Sequence, residues 1–406
     1  MKTTWTAIGI LVCMTAATAA ERCELVVNDV SEVEEWPLVG GLPLPEGLID
    51  DAAHIRVLDA DGNEVPCQAD VATTYQDGSV RWALMSMVGS PQAKYTAEFG
   101  PDVTRAPVDG ITLTEEQGGF LIDTGAAQFL VTPDNLLIES ARLAGGAELW
   151  AAGECNAYLI DNQGRRATCE GPAAEIELTT LKSGPMRVVL RTEGWYVTEG
   201  GEQLARGVAR MSFFAGSALA KLSHSIIFTE DTNELWLRDY GLTVPLIGQG
   251  EATATFDTDR AFDHNASAVR LSGDDTAAML QSEFPHFAET DSRFALTRNG
   301  EEVGAGDACG EWVDLSRGGA GITVAVRDFA EQFPKELEAN ADGITVHLWP
   351  ERSGKELDFR AATLVRDYWQ SWADYAPGGA EKLGSYASNA QCSSKTHELW
   401  IMPHAG

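Results

Sequence analysis

Short runs of alternating or β-branched residues, each closed by glycine with aspartate or asparagine, constrain this chain more than any other feature. Such runs occur at His54–Leu58, Gln128–Thr132, Ala174–Leu181, Met186–Thr192, Gly207–Phe214, Leu222–Thr229, Gly321–Val326 and Gly343–Leu348. Asp61-Gly62-Asn63, Asp77-Gly78, Asn299-Gly300 and Asp342-Gly343 supply turns, because these residues tolerate the backbone angles that tight hairpins need. A mainly β fold is expected, built as barrels or sandwiches. Helical patterns are few: Phe329–Glu336, Ala361–Ala373 and a weaker one at the extreme C-terminus, although Leu399 to Met402 also reads as a strand in need of a partner. The polar, proline-bearing stretch Pro101 to Gly110 separates a first segment, sized for a small β-barrel, from strands that continue to about Arg360 and suit a large sandwich. The expected division is a leader at 1–20, a barrel at 21–110, a sandwich at 111–375 and the start of a truncated C-terminal region at 376–406.

The first twenty residues read as a secretory leader. Lys2 precedes an uncharged stretch from Ala7 to Ala17, and Ala17-Thr18-Ala19 offers small residues for cleavage after Ala19 or Ala20. Leu11 and Val12 before Cys13 do not suit lipidation, and no later stretch is long enough to span a bilayer. A secreted or periplasmic protein is expected. Its 61 acidic and 29 basic residues give a net charge of −32, which repels nucleic acid and anionic lipid. An acidic polysaccharide would need a local basic pocket, since the overall field is screened only beyond about 8–10 Å. A saline habitat explains the same excess of acid. Six cysteines follow the leader and permit up to three disulfides, with Cys155–Cys169 and Cys23–Cys67 as local candidates. Their spacing does not support structural zinc.

No G-x-S-x-G elbow, Walker loop or H-E-x-x-H motif is present. The remaining candidates are polar clusters, each with a plainer alternative. Tyr75 to Trp82 reads as a structural hairpin in which Val80 and Trp82 share a face and Trp82 enters the core. His224 shares a strand face with Leu222 and Ile226, as a satisfied core histidine or as a catalyst. Arg238 is able to grip a carboxylate and Tyr240 to move a proton, or the two serve as a surface pair and a packing residue. Arg327 and Lys335 flank a charged turn, and Trp349 is either a sugar-stacking or a core residue. Arg360 follows at Asp358-Phe359-Arg360, and Lys395-Thr396-His397-Glu398 groups four polar side chains before an apolar run.

Taken in order, these clusters resemble the exo-acting rhamnogalacturonan lyases and their relatives, the PcRGLX/YetA-like proteins. The resemblance starts at Trp36 to Gly47 and runs through Val65-Pro66-Cys67-Gln68, Asp77 to Trp82, Gly184 to Arg187 and Arg238 to Leu242. It continues through Gly310-Glu311-Trp312, Val326-Arg327-Asp328, Phe333 to Glu336, Leu348-Trp349-Pro350, Asp358 to Arg360 and Lys395 to Glu398. It implies an N-terminal barrel of the RIFT type, a central β-sandwich and a helical toroid, which would begin near where this chain stops.

The implied chemistry is β-elimination beside a uronate. A cation must neutralise the sugar carboxylate before a side chain can take the neighbouring proton. Arg238, Arg327 and Arg360 are candidates for that cation, with Lys335, Trp349 and Lys395 as further binding residues; His224, Tyr240 and His397 are candidates for the proton steps. No cofactor is required, although Ca²⁺ would serve in place of the cation. A non-catalytic sugar-binding module and a cell-surface structural protein are the alternative readings.

Overall fold

The computed structural model describes residues 20–27, 33–146, 148–259, 265–283, 293–360 and 389–406. Apart from Ala20, the expected leader lies outside them, as does the helix expected at Ala361–Ala373. The described part is almost wholly stranded, with short 3₁₀ turns at Ala52–His54, Pro172–Ala174 and Glu351–Ser353.

Two small sheets form the N-terminal unit. One orders Glu21–Leu25, Tyr95–Phe99, Ile55–Leu58 and Glu64–Val65; the other orders Trp36–Pro43, Val80–Gly89 and Cys67–Thr74. Alternation drives Leu42, Ile55, Val57, Val80, Ala83 and Phe99 into one shared core, giving the small barrel expected. The buried Gln68 ties this unit to the sandwich: its Oε1 accepts hydrogen bonds from Met186 N (3.1 Å) and Arg187 N (2.9 Å).

A five-stranded sheet (Glu148–Trp150, Ser140–Leu143, Ala127–Val131, Gly119–Asp123, Thr112–Glu116) leads into the sandwich. The ladders of the remaining strands resolve into two layers. The first runs Glu177–Ser183, Arg187–Thr198, Gln203–Phe214, Ala220–Ile227, Ser394–His404, Ala320–Val326, Trp312–Arg317, Ala252–Asp257 and Ala266–Leu271. The second runs Arg166–Thr168, Ala157–Asp161, Leu237–Pro245, Gly343–Trp349, Lys335–Asn340, Thr276–Gln281, Phe294–Arg298 and Glu301–Gly306. Arg166–Thr168 also pairs with Arg187–Thr198, closing the layers along one edge. The inward residues of both layers form a single core, including Leu222, Leu399, Val324, Leu337 and Val346. The Asn299-Gly300 turn has both residues at positive φ (51° and 81°), the hairpin geometry its sequence announces.

Several expectations are corrected. Phe329–Glu336 is not a helix: residues 327–332 form a turn, with Gln332 N bonded to Asp328 O (2.9 Å), and a strand begins at Lys335. The extreme C-terminus is a strand, Ser394–His404, inside the first layer. Trp82 is 40% exposed, because bulges in the partner strand between Val71 and Thr74 break the alternation that would have buried it. All six cysteines from Cys23 to Cys392 are free thiols. Cys155 and Cys169 are buried, and burial pushes both thiols up to about 12. Cys309 points its thiol at Gln281 Oε1 (3.3 Å).

Gly241 sits where no side chain fits. A Cβ there would lie 2.1 Å from Val346 O and 3.1 Å from the Tyr158 hydroxyl. Gly241→Ala is therefore expected to destabilise the fold by at least about 1–3 kcal/mol, read as a lower denaturant midpoint; an unchanged midpoint would contradict this packing.

Candidate functional site

The largest opening arises from the residues that the strands turn outward on the first layer. Trp312, Ala325, Trp400 and Lys221 are register partners across four neighbouring strands, and so form one row on the outer face. Asp314, Thr323 and Met402 form the adjacent row. The N-terminal unit brings Trp36 against this face, and the space between is a cleft of about 510 Å³. Its lining includes Trp36, Trp312, Trp400, Glu311, Asp314 and Met402. A smaller recess of about 160 Å³ continues from Trp36 and Trp400 to Arg187, Phe214 and Lys221. Tryptophans around a groove suit the apolar faces of sugar rings, and the combined volume suits an oligosaccharide.

Charge is unevenly distributed along this groove. Glu311 accepts a hydrogen bond from Asp328 N (3.0 Å), and Asp328 holds a left-handed backbone at φ 53°. Burial, with Asp328 and Glu331 as negative neighbours, pushes the Glu311 carboxyl up to about 7. Asp314 is different: burial would raise it, but bonds from His404 (2.6 Å) and Thr323 (2.8 Å) hold it below the usual carboxylate range. At the other end Lys221 pairs with Glu398 (3.0 Å) and lies 5.6 Å from the Trp400 ring centroid. Glu398 also takes Arg327 (2.7 Å). Arg187 donates to Ser212 Oγ (3.2 Å), while its buried Nε has no hydrogen-bond partner; burial lowers its pKa. That guanidinium offers an anion a donor that the protein itself does not satisfy.

The residues expected to carry catalysis converge, but in the wrong place. His224 bonds to the Tyr196 hydroxyl through Nε2 (2.8 Å) and to the Tyr240 hydroxyl through Nδ1 (2.9 Å). His397 is the register partner of His224, and its ring lies 6.2 Å from that of Tyr240. His224 and Tyr240 are 0% and 1% exposed, and His397 is 4% exposed. They form a polar bridge between the two layers, closed to any sugar, so the proton-transfer roles expected of them are corrected. Burial lowers His224 to about 4; burial, with Lys335 and Lys395 nearby, lowers His397 further. Lys335 is equally buried, bonded to Leu348 O (3.2 Å), and burial brings it down to about 7.

The other expected binding residues scatter. Arg238 pairs with Glu351, and Arg360 pairs with Asp358 (2.7 Å) while lying 3.5 Å from the Trp236 ring centroid. Trp349 is half-buried, packs on the core and donates to Lys355 O (2.9 Å), so it is no stacking platform. Lys395 is exposed on the Ser394–His404 strand. Arg327 alone, through Glu398, adjoins the groove. Sequence reasoning passed over Trp36, Arg187, Lys221, Glu311, Trp312 and Trp400 as site residues. Several stand inside the motifs that carry the family resemblance, and their common signal is an outward position on adjacent strands, which needs the register to be seen.

Residues 33–100 match the PcRGLX-like N-terminal RIFT barrel domain, and residues 111–253 match the PcRGLX-like protein central beta sandwich domain. The chain belongs to the PcRGLX-like family. No curated protein matches it. Among solved structures, a glycosyl hydrolase family 38 protein from Enterococcus faecalis is 12% identical with a TM-score of 0.49, aligned over 95% of this chain and 44% of its own. An α-mannosidase from Enterococcus faecalis V583 is 12% identical with a TM-score of 0.43, over 92% of this chain and 41% of its own. A putative aldose 1-epimerase from Escherichia coli K12 is 9% identical with a TM-score of 0.36, over 73% of this chain and 100% of its own. The chain thus spans less than half the length of the first two, and likenesses this weak carry no activity onto it. Among the described residues no helix is long and apolar enough to cross a membrane.

The buried histidine bridge has a pH signature. A depressed histidine adds stability above its unfolded value, 6.5, and that contribution is lost as pH falls through its folded value of about 4. Thermal unfolding midpoints should therefore drop across that window, and His224→Gln should flatten the drop. An identical profile in the variant would show that His224 does not titrate in the core.

Proposed function

We propose that the chain is the substrate-holding part of an exported polysaccharide lyase, and that an acidic, rhamnogalacturonan-like polymer binds in the tryptophan-lined cleft. The observation that carries this reading is Arg187: a buried guanidinium with an unsatisfied Nε, placed beside Lys221 and Trp400 at one end of a groove lined by three tryptophans. A uronate carboxylate meets Arg187 and Lys221 there while its ring and neighbours lie along Trp36, Trp400 and Trp312. This supplies the local basic pocket that an anionic substrate requires in a molecule of net charge −32.

In β-elimination, neutralising the carboxylate acidifies the proton on the adjacent ring carbon. A base removes that proton, its electron pair forms the new carbon–carbon double bond, and the glycosidic oxygen leaves and takes up a proton. Arg187 and Lys221 suit the first task. With His224, Tyr240 and His397 sealed in the core, Glu311, held near neutrality, is the group in the cleft best tuned to exchange a proton. A binding module without turnover is the second reading, favoured by the enclosure of those three side chains.

Retardation in gels containing rhamnogalacturonan, against a neutral glucan, tests binding; ultraviolet absorbance of unsaturated products tests cleavage. Arg187→Ala and Trp400→Ala should each weaken retardation by about 1–3 kcal/mol, the usual cost of losing a charge-assisted bond or a stacked ring. Retardation by neither polymer, or retardation unchanged in both variants, sinks the cleft reading. Binding without absorbing products selects the non-catalytic one.

Glu311 adds a pH test. Below about 7 its carboxyl is protonated, which removes a negative charge from the groove. Affinity for a uronate oligosaccharide should rise as pH falls through that value, and Glu311→Gln should abolish the dependence. A slope that persists in the variant assigns the titration elsewhere.

A further inference from the structure

A second polar constellation lies on the opposite side of the sandwich, on the outer face of the second layer. In the Lys335–Asn340 strand, Lys335, Leu337 and Ala339 are buried toward the core, so alternation turns Glu336 and Glu338 outward. In the neighbouring Gly343–Trp349 strand, Ile344, Val346 and Leu348 take the core and His347 turns outward. Glu336 and His347 are direct register partners. The ligand-capable atoms of Glu336, Glu338 and His347 all lie within 4.8 Å of one another.

Two of these side chains are left in a state that burial makes costly. Glu336 is 0% exposed, and neither of its carboxylate oxygens receives a hydrogen bond. Its one compensation is an ion pair with Arg352 Nη1, 2.9 Å from Oε1. The buried Nε2 of His347 also has no partner. The other ring nitrogen is firmly held: Nδ1 lies 2.9 Å from the Tyr158 hydroxyl and 3.0 Å from Asp239 Oδ1. Gly241, the register partner of both Tyr158 and His347, leaves the gap through which that hydroxyl reaches. A carboxylate and a phenol that fix one imidazole nitrogen while the other faces two carboxylates are the usual outer groups of a metal-binding histidine.

We propose that Glu336, Glu338 and His347 bind one divalent transition-metal ion, with Asp239 and Tyr158 orienting the imidazole. An imidazole with two carboxylates favours zinc, cobalt or manganese over calcium and magnesium, which take oxygen ligands. Zinc bonds to such atoms are about 2.0–2.2 Å long, which keeps ligands within about 4.4 Å of each other, so only a small rotamer adjustment seats the ion. Three protein ligands leave a position open toward solvent. Arg352 is the occupant that must move: it reaches Glu336 and, at 3.5 Å, Glu338, and its side chain is 44% exposed on the short Glu351–Ser353 turn. It serves as the stand-in cation of the empty site and as its entry gate.

The test is titration of tag-free, chelator-treated protein with ZnCl₂ by calorimetry, with the visible spectrum of added Co²⁺ as an independent readout of ligand geometry. The expected result is one equivalent bound, lost in Glu336→Gln and His347→Ala. Asp239→Asn should bind about 10–100-fold more weakly, the usual cost of removing an outer partner. Arg352→Ala, freed of the competing cation, should bind more tightly than the parent. Glu338→Gln, a half-buried position, should weaken binding even if the two more central variants fail to fold. Absence of binding in both the parent and Arg352→Ala overturns the proposal, and would leave His347 and Arg352 as plain counter-charges to Glu336. Retention of the full equivalent in Glu338→Gln and His347→Ala, or calcium displacing cobalt as readily as zinc does, overturns it too.

Discussion

The strand Ser394–His404 joins two parts of the first layer that are far apart in sequence. On one side it pairs with Ala220–Ile227 through eight register positions, and on the other with Ala320–Val326 through six. Without it the layer would be two separate pieces with exposed edges. The period of two along this one strand also divides the chemistry of the molecule. His397, Leu399 and Ile401 enter the core, whereas Glu398, Trp400 and Met402 turn to the cleft side. Shifting the register by one residue would send the tryptophan inward and the histidine out.

Electrostatics is governed by that partition. Inside, the two layers meet around His224, Tyr196, Tyr240, His397 and Lys335, where burial suppresses charge on the histidines and lowers that on the lysine. Such a network specifies how the layers face each other, because its hydrogen bonds are satisfied in one alignment only. Outside, the few cations are placed against particular carboxylates. Glu398 holds both Arg327 and Lys221, Glu351 holds Arg238, and Asp358 holds Arg360. Against that background, an arginine with an unsatisfied nitrogen in a recess stands out as the place where the molecule can receive an anion.

How much of this was legible depended on range. Local signals read well: Asn299-Gly300 makes its turn, and the strand-face argument correctly set His224 with Leu222 and Ile226, all three buried. That argument could not say whether the face looked to solvent or to a second layer, since alternation is the same in both cases. The pattern around Trp82 misled because a bulge lies in its partner strand, not in its own. Phe329–Glu336 carries helical spacing but must deliver Lys335 to a strand that pairs with residues some fifty positions earlier, and tertiary pairing overrode local preference. The site was dispersed across Trp36, Arg187, Lys221, Glu311 and Trp400, and only long-range register assembles it. The ordered motifs nevertheless named the right family and fold.

The shared strand bears on how such a chain is made. Ala220–Ile227 leaves the ribosome long before its neighbour Ser394–His404 exists, and so does Ala320–Val326. Until the final strand arrives, both present bare backbone donors and acceptors, and each is flanked by apolar residues suited to pairing with any passing extended segment. Delivery across a membrane in an unfolded state would postpone this exposure to a moment when the whole chain is available. For this architecture, the interval between the first strands and the last is the period of greatest vulnerability.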